Sequence, residues 1–300
     1  MTRRWRSLLV AIGVVTIILI SGCSSAQEKT DPGQDVLVNQ SAVDLLPEAV
    51  GERGTLRVGT DVSSSNRPFE SFGADGVTPQ GFDIDLANSI AASLGLRPDI
   101  QNIAFDSLIS SINSDRVDIA VATMAVYKSR QEQVDFVDYV ELDAGFLTRS
   151  GDEVPGNDLP GACGKAVIAL AGSAFLPAIE EQRAACAQSG NPLQLQTFDS
   201  FSDAILALRS SRADVILDNF APMTAFVSES DDITAVAIRD SQMLPVVNGG
   251  VASAKDSGMS AAIAAVLQGF YDDGTYTALL EKWGLQEAGI DEFAINAAVA

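Results

Sequence analysis

The chain of 300 residues has no histidine, and its three cysteines stand at positions 23, 163 and 186. Without an imidazole it lacks the commonest general base, the usual partner of a nucleophilic serine or cysteine, and most transition-metal sites. Catalysis would fall to an aspartate or glutamate of tuned pKa, and nothing in the order of residues singles one out. No enzyme, no cofactor and no metal are therefore expected. Two thiols alone make half a zinc site, so Cys163 and Cys186 read instead as a disulfide in an oxidising compartment. Such a bridge would staple the end of a helix to the start of a strand and contribute about 3 kcal/mol.

Cys23 has a different setting. Arg3, Arg4 and Arg6 precede an apolar run over 8–20, and Ser21-Gly22-Cys23 follows. A basic start, an apolar centre and small residues before a cleavage point make a secretory signal over 1–22. The run falls short of the about 20 residues that span a bilayer. Ile20-Ser21-Gly22-Cys23 also has the form of a lipobox, whose cysteine is acylated (palmitate among the chains) and becomes the new N-terminus. The expected location is extracytoplasmic, anchored to the cell membrane by lipid on Cys23 and touching the membrane through that lipid alone.

The elements behind these residues follow from composition and periodicity. A net charge of −21 repels nucleic acid and anionic headgroups, so neither is an expected partner. With 47% hydrophobic and 20% charged residues, the chain is ordinary globular material, long enough for two domains. Residues 23–54 are polar and weakly periodic and read as a flexible tether. Strands then alternate with helices: strand 56–60, helix 82–96, short helix 105–113 and apolar strand 117–122. A second series follows, with strands 166–170, 193–198, 213–217 and 233–238 around helices 174–188 and 201–210. Amphipathic helices 259–271 and 276–283 close the pattern. Such alternation predicts parallel α/β sheets in two lobes, joined by crossings near 145–150 and 244–250.

Six stretches occur in a telling order: Leu56-Arg57-Val58-Gly59-Thr60-Asp61, Pro68-Phe69-Glu70, Gly81-Phe82-Asp83-Ile84-Asp85-Leu86-Ala87, Tyr127-Lys128-Ser129-Arg130 with Val134-Asp135-Phe136, Arg212-Ala213-Asp214 through Asp218, and Gly274-Thr275-Tyr276 through Lys282-Trp283-Gly284. From about 56 to 285 the sequence thereby resembles the polar amino acid class of extracellular solute-binding proteins of ABC importers. The resemblance implies an α/β, two-lobed, periplasmic-binding-protein-like fold of type II, with two parallel-type sheets, flanking helices and two hinge segments. Lobe 1 would comprise 55–147 and 248–290, lobe 2 148–247, and 291–300 a C-terminal tail.

A free amino acid carries a carboxylate and an ammonium, and each needs a partner once the lobes exclude water. The resemblance puts Arg130 on the carboxylate, where a planar fork can hold both oxygens. It puts Asp218 on the ammonium, at the carboxyl end of its strand where ligands of open sheets gather. Asp214, at the opposite end, reads as structural. Backbone N–H groups of the turns at Thr123 and Ala125, and at Ser173 and Ala174, would cradle the carboxylate. Phe105 matches a family aromatic. Two departures stand out: Ala125 lacks the usual hydroxyl, and Asn66 occupies the register of a second aromatic. Asn66, Arg67 and the serines Ser63, Ser64 and Ser65 are therefore expected on a polar or acidic ligand side chain, with Arg67 the partner for a carboxylate. The expected function is capture of an amino acid or amino-acid-like solute by a monomeric, lipid-anchored protein that delivers it to an ABC permease. A cyclohexadienyl dehydratase-like enzyme and a non-transport sensor lipoprotein are the alternatives on the same fold.

Overall fold

Apolar spacing decides where the chain first becomes ordered. The computed structural model describes residues 36–298 except Ser65, Asn157, Glu229, Arg239, Asp240, Gln242 and Pro245, all within the unit Asp31–Ala300. Cys23 and the expected signal segment lie outside the described residues. The last part of the expected tether is folded, which corrects that expectation for residues 39–54. Two short helices form there, α1 (Gln40–Val43) and α2 (Glu48–Arg53), and Ala42 and Val50 enter the lobe 1 core. Asn39 caps α1 by accepting from Ala42 N–H, while its own N–H donates to Ser93 O at 2.8 Å and its Nδ2 to Ala265 O at 3.2 Å. A capping side chain and two buried apolar residues suffice to attach the segment.

The chain continues through β1 (Thr55–Thr60), the small pair β2 (Ser71–Phe72) and β3 (Pro79–Gln80), α3 (Phe82–Ser93), β4 (Arg97–Asn102), α4 (Leu108–Asn113), β5 (Ile119–Ala120), α5 (Lys128–Gln131) and β6 (Val134–Leu142). The second lobe holds β7 (Ala144–Arg149), β8 (Ala166–Leu170), α6 (Leu176–Gln188), β9 (Gln194–Phe198), α7 (Phe201–Arg209), β10 (Val215–Asn219), α8 (Phe220–Ser228) and β11 (Ile233–Ala237). The return brings β12 (Val247–Ala254), α9 (Met259–Asp273) and α10 (Thr275–Trp283). One sheet has the order β4-β1-β5-β12-β6 and the other β11-β7-β10-β8-β9.

Both sheets are mixed rather than parallel throughout. Each contains one reversed strand, β12 in the first and β7 in the second. These two strands are the ones that follow the crossings between lobes. The other strands end at the cleft, so a chain arriving from the opposite lobe enters at that edge and must run away from it. The first crossing falls at Asp143, ahead of the expected 145–150, because residues 144–149 form β7 inside the second sheet. The second lies between β11 and β12.

The near-continuous apolar run around β5 is explained by burial on both faces. Ile119 and Val121 join the core beneath α3 and α9, whereas Val117, Ala120 and Ala122 join a second cluster with α4. In lobe 2, Val167, Ala169, Val215 and Leu217 face one cluster while Ile168 and Ile216 face another. Cys163 and Cys186 form the expected disulfide, with Cα atoms 5.3 Å apart, tying the end of α6 to the turn before β8. The expected tail is not loose over its described part. Phe293 is buried with its ring 5.2 Å from that of Tyr276, and Asp138 N–H donates to Ala294 O at 3.0 Å, so the segment covers the edge of β6. Among the described residues, no helix is long and apolar enough to cross a membrane.

Candidate functional site

The ends of five strands converge on one pocket between the lobes. Asp61 follows β1, Ala122 and Thr123 follow β5, Leu170 and Ala171 mark the end of β8, Asp199 follows β9, and Asp218 and Asn219 close β10. Ser64, Asn66, Glu70, Phe105, Ala125 and Arg130 complete the lobe 1 wall, and 173–175 the lobe 2 wall. The pocket thus brings together Arg130, Asp218, Thr123, Ala125, Ser173, Ala174, Phe105 and Asn66. Of the expected residues among those described, Arg67 and Ser63 are absent from it. The Arg67 side chain is exposed, with the guanidinium 6.0 Å from the centre of the Phe226 ring on α8.

Arg130 sits in α5, which starts after Tyr127. Its Nη1 donates to Ala125 O and its Nη2 crosses the cleft to Gly172 O, each at 2.9 Å. The guanidinium lies 5.4 Å from the centre of the Phe105 ring, a cation–π arrangement. Among the described residues no carboxylate forms an ion pair with it, and burial pushes its pKa down to about 10. Gly172 permits the crossing: its φ is +74°, and a Cβ there would lie 3.3 Å from Asp106 Cβ.

Asp218 ends a strand whose preceding residues, Val215 to Leu217, are fully buried. Oδ1 accepts from Asn219 N–H at 2.8 Å, and Oδ2 is buried with no hydrogen-bond partner among the described residues. Burial raises its pKa to about 7. A carboxylate oxygen buried in this way calls for a donor, and a cationic one would recover the charged form. Asp214, by contrast, accepts from Ala166 N–H at 2.8 Å and is the structural residue expected.

The expected backbone cradle is only partly available. Thr123, held at φ +46°, donates its N–H to Asp83 Oδ2 at 2.9 Å and to Tyr139 OH at 3.0 Å. Ser173 N–H donates to Leu170 O at 3.0 Å. Both amides are therefore engaged within the protein, and α6 begins at Leu176 rather than at 174. The Ser173 hydroxyl accepts from Phe175 N–H at 3.3 Å and keeps its own proton for another acceptor. Asn66 donates from Nδ2 to Glu70 Oε1 at 3.1 Å and to Thr123 Oγ1 at 2.8 Å, so its donors fix the pocket wall.

A carboxyl pair lies behind that wall. Gly81, with φ +135° and Phe69 O only 2.0 Å from where a Cβ would stand, lets the start of α3 press against the segment carrying Glu70. Phe69 and Phe82 meet edge to face at 6.1 Å in the core. Asp83 is fully buried and accepts from Tyr139 OH at 2.8 Å besides Thr123 N–H. Glu70 is almost as buried; its Oε2 meets no donor among the described residues, and in its acid form Glu70 donates to the Asp83 carboxylate. Burial first, then the neighbouring Asp83 charge, hold the Glu70 pKa well above the usual carboxylate range.

Residues 56–286 match the profile of the bacterial extracellular solute-binding proteins, family 3. The chain belongs to that family. Arginine-binding protein ArgT of Corynebacterium glutamicum is 26% identical over 298 residues, covering 97% of this chain and 96% of its own length. L-cystine-binding protein TcyJ of Escherichia coli (strain K12) is 25% identical, covering 91% and 93% respectively. An ancestral arginine-binding protein solved with arginine superposes with a TM-score of 0.69 at 29% identity, over 77% of this chain and 98% of that one. The same ancestral type solved with glutamine gives 0.68 at 30% identity, over 78% and 99%. The solute-binding protein thus has the type II periplasmic-binding fold expected from its motifs. An ancestral amino acid-binding protein described as a precursor of cyclohexadienyl dehydratase, at 24% identity, shares that fold and carries the likeness no further.

Sequence reasoning passed over Asp61, Glu70, Asp199 and Asn219 as pocket residues, whereas Ser64, one of the expected serines, lines the pocket. Glu70 carried a signal in its setting, an acidic residue directly after Pro68-Phe69, with Phe69 fully buried.

Proposed function

We propose that this solute-binding protein captures an amino acid, or a solute with the same α-ammonium and carboxylate, between its lobes and delivers it to an ABC import permease. The observation that carries the reading is the pair of charges in one pocket that nothing among the described residues matches: Arg130 without a carboxylate partner and Asp218 with a buried, unpartnered oxygen. A zwitterion answers both at once, with its carboxylate on the guanidinium fork and its ammonium on Asp218. The two groups stand on different lobes, so a bound ligand adds contacts that exist only when the lobes meet and favours the closed form. In that form the permease would recognise the protein. Relatives named for arginine and cystine binding support the same chemistry.

A thermal-shift screen of the twenty amino acids, with simple amines and carboxylic acids as controls, tests this reading. Ligand at about 100 times Kd adds about 2.7 kcal/mol to stability. At least one α-amino acid is expected to raise Tm by several degrees, while compounds lacking either charged group do nothing. A flat response to every α-amino acid overturns the reading.

Cys23 is the proposed anchor, supported by the lipobox form of residues 20–23. Palmitate labelling of the wild-type protein in its host, lost together with membrane association in Cys23→Ser, is the expected outcome; equal labelling of both overturns the anchor.

A further inference from the structure

This inference rests on the amino-acid reading above and concerns what holds the lobes together around a ligand. Arg130 reaches from lobe 1 to lobe 2 through Gly172 O, and it belongs to the pocket. Arg67 makes a second crossing outside it, with its guanidinium 6.0 Å from the centre of the Phe226 ring. Both ends of that crossing are fixed to their own lobe. Asn66 O accepts from Phe69 N–H at 3.0 Å and from Glu70 N–H at 3.2 Å, and Asn66 Nδ2 donates to Thr123 Oγ1 at 2.8 Å, so the backbone before Arg67 is tied to lobe 1. Phe69, two residues after Arg67, is fully buried in the lobe 1 core. On the other side, Phe226 is half-buried on α8, and its ring lies 4.9 Å from that of the fully buried Phe201.

Arg67 directly follows Asn66, and α8 starts directly after Asn219; both of these neighbours line the pocket. The contact thus joins two segments that leave the pocket wall from opposite lobes. A contact between fixed parts of different lobes exists only while the lobes meet, so it stabilises the closed form whichever ligand is inside. Arg130 and Asp218 differ in this respect, because they answer charges on the ligand. A cation over an exposed aromatic face is a weak interaction. Weakness fits the position. A strong contact would shut the empty cleft, whereas a weak one adds to a closure that the ligand has already made favourable.

We propose that Arg67 and Phe226 form a latch between the lobes. Arg67 is then a positioning residue: it touches no part of the ligand and slows ligand release by stabilising the closed form. This role replaces the one expected from the sequence, in which Arg67 meets a carboxylate on the ligand side chain.

Titration calorimetry and stopped-flow displacement on Arg67→Ala, with L-arginine and L-glutamine as probes, test this. Where either is silent in the thermal screen, the α-amino acid with the largest shift replaces it. Release is expected to quicken by about two- to fivefold and affinity to fall by the same factor, with the association rate unchanged because ligand enters the open form. The factor should be equal for both ligands, and Tm of the empty protein should stay where it is. Arg67→Lys should retain part of the latch, since an ammonium also sits over a ring. Phe226→Leu keeps apolar packing against Phe201 and should reproduce the faster release; adding Arg67→Ala to it should change release no further. Unchanged release in Arg67→Ala overturns the proposal while leaving amino-acid binding intact. A loss confined to one ligand also overturns it, by putting Arg67 on the ligand side chain. A flat amino-acid screen removes the reading beneath and the latch with it. The Arg67 variants decide the matter even where Phe226→Leu does not fold.

Discussion

Alanine at position 130 is expected to weaken amino-acid binding by about two to four orders of magnitude, because a ligand carboxylate would then be buried without its partner. The empty protein should tolerate the change. Arg130 is held by two carbonyl oxygens, and its charge is desolvated without a carboxylate in return, as its pKa of about 10 records. Removing it takes away two hydrogen bonds and a desolvation cost together, so Tm of the ligand-free protein should move by no more than a few degrees. Arg130→Lys should recover only part of the affinity, since an ammonium cannot bind two oxygens in one plane. Titration calorimetry beside thermal melts separates the effects. Micromolar affinity surviving in Arg130→Ala would remove Arg130 from the site.

Asp218→Asn is expected to act in opposite directions on binding and on stability. The isosteric amide keeps the shape and loses the charge that answers the ligand ammonium, so affinity should fall by about a hundredfold or more. Stability of the empty protein should rise. The pKa of Asp218 in the folded, empty pocket is about 7, against about 3.9 for an unfolded chain, so the folded state holds the proton more tightly. Stability is therefore lost as pH rises from about 4 to about 7, and above that window the ionised group costs on the order of a few kcal/mol. Asp218→Asn should flatten that dependence and melt higher than wild type at pH 8. Ligand affinity of the wild type should drop as pH falls below about 7, by up to about tenfold per unit, because the ammonium needs the carboxylate ionised. A variant with wild-type affinity, or one that melts lower at pH 8, would contradict this assignment.

Several strands and helices were legible because their local signals agree. Strand 166–170 matches β8, and helix 201–210 matches α7 to within a residue. Ser200 accepts from Asp203 N–H at 3.2 Å at the start of α7, a cap written in the sequence three residues apart. β6 and β7 were harder. Asp135 and Asp138 interrupt the apolar run of β6, and their partners Asn296, Lys255 and Asn248 lie more than a hundred residues away. Residues 145–149 read as a hinge, yet they form a strand, and a Cβ at Gly145 would stand 2.9 Å from the ring of Phe220.

The residue order by itself determined the family, the alternation of elements, the disulfide partners and part of the set of residues that meets in the cleft. Motifs and apolar spacing are local, and they survive in a linear string. What remained for the tertiary structure was which of those groups still has a hydrogen bond to give. Thr123 N–H is engaged by Asp83, forty residues earlier, and Arg67 turns away to Phe226. Asp218 keeps a buried oxygen that nothing among the described residues answers. Whether a polar atom is satisfied depends on every neighbour that folding brings to it, and that is decided only when distant segments close around one pocket.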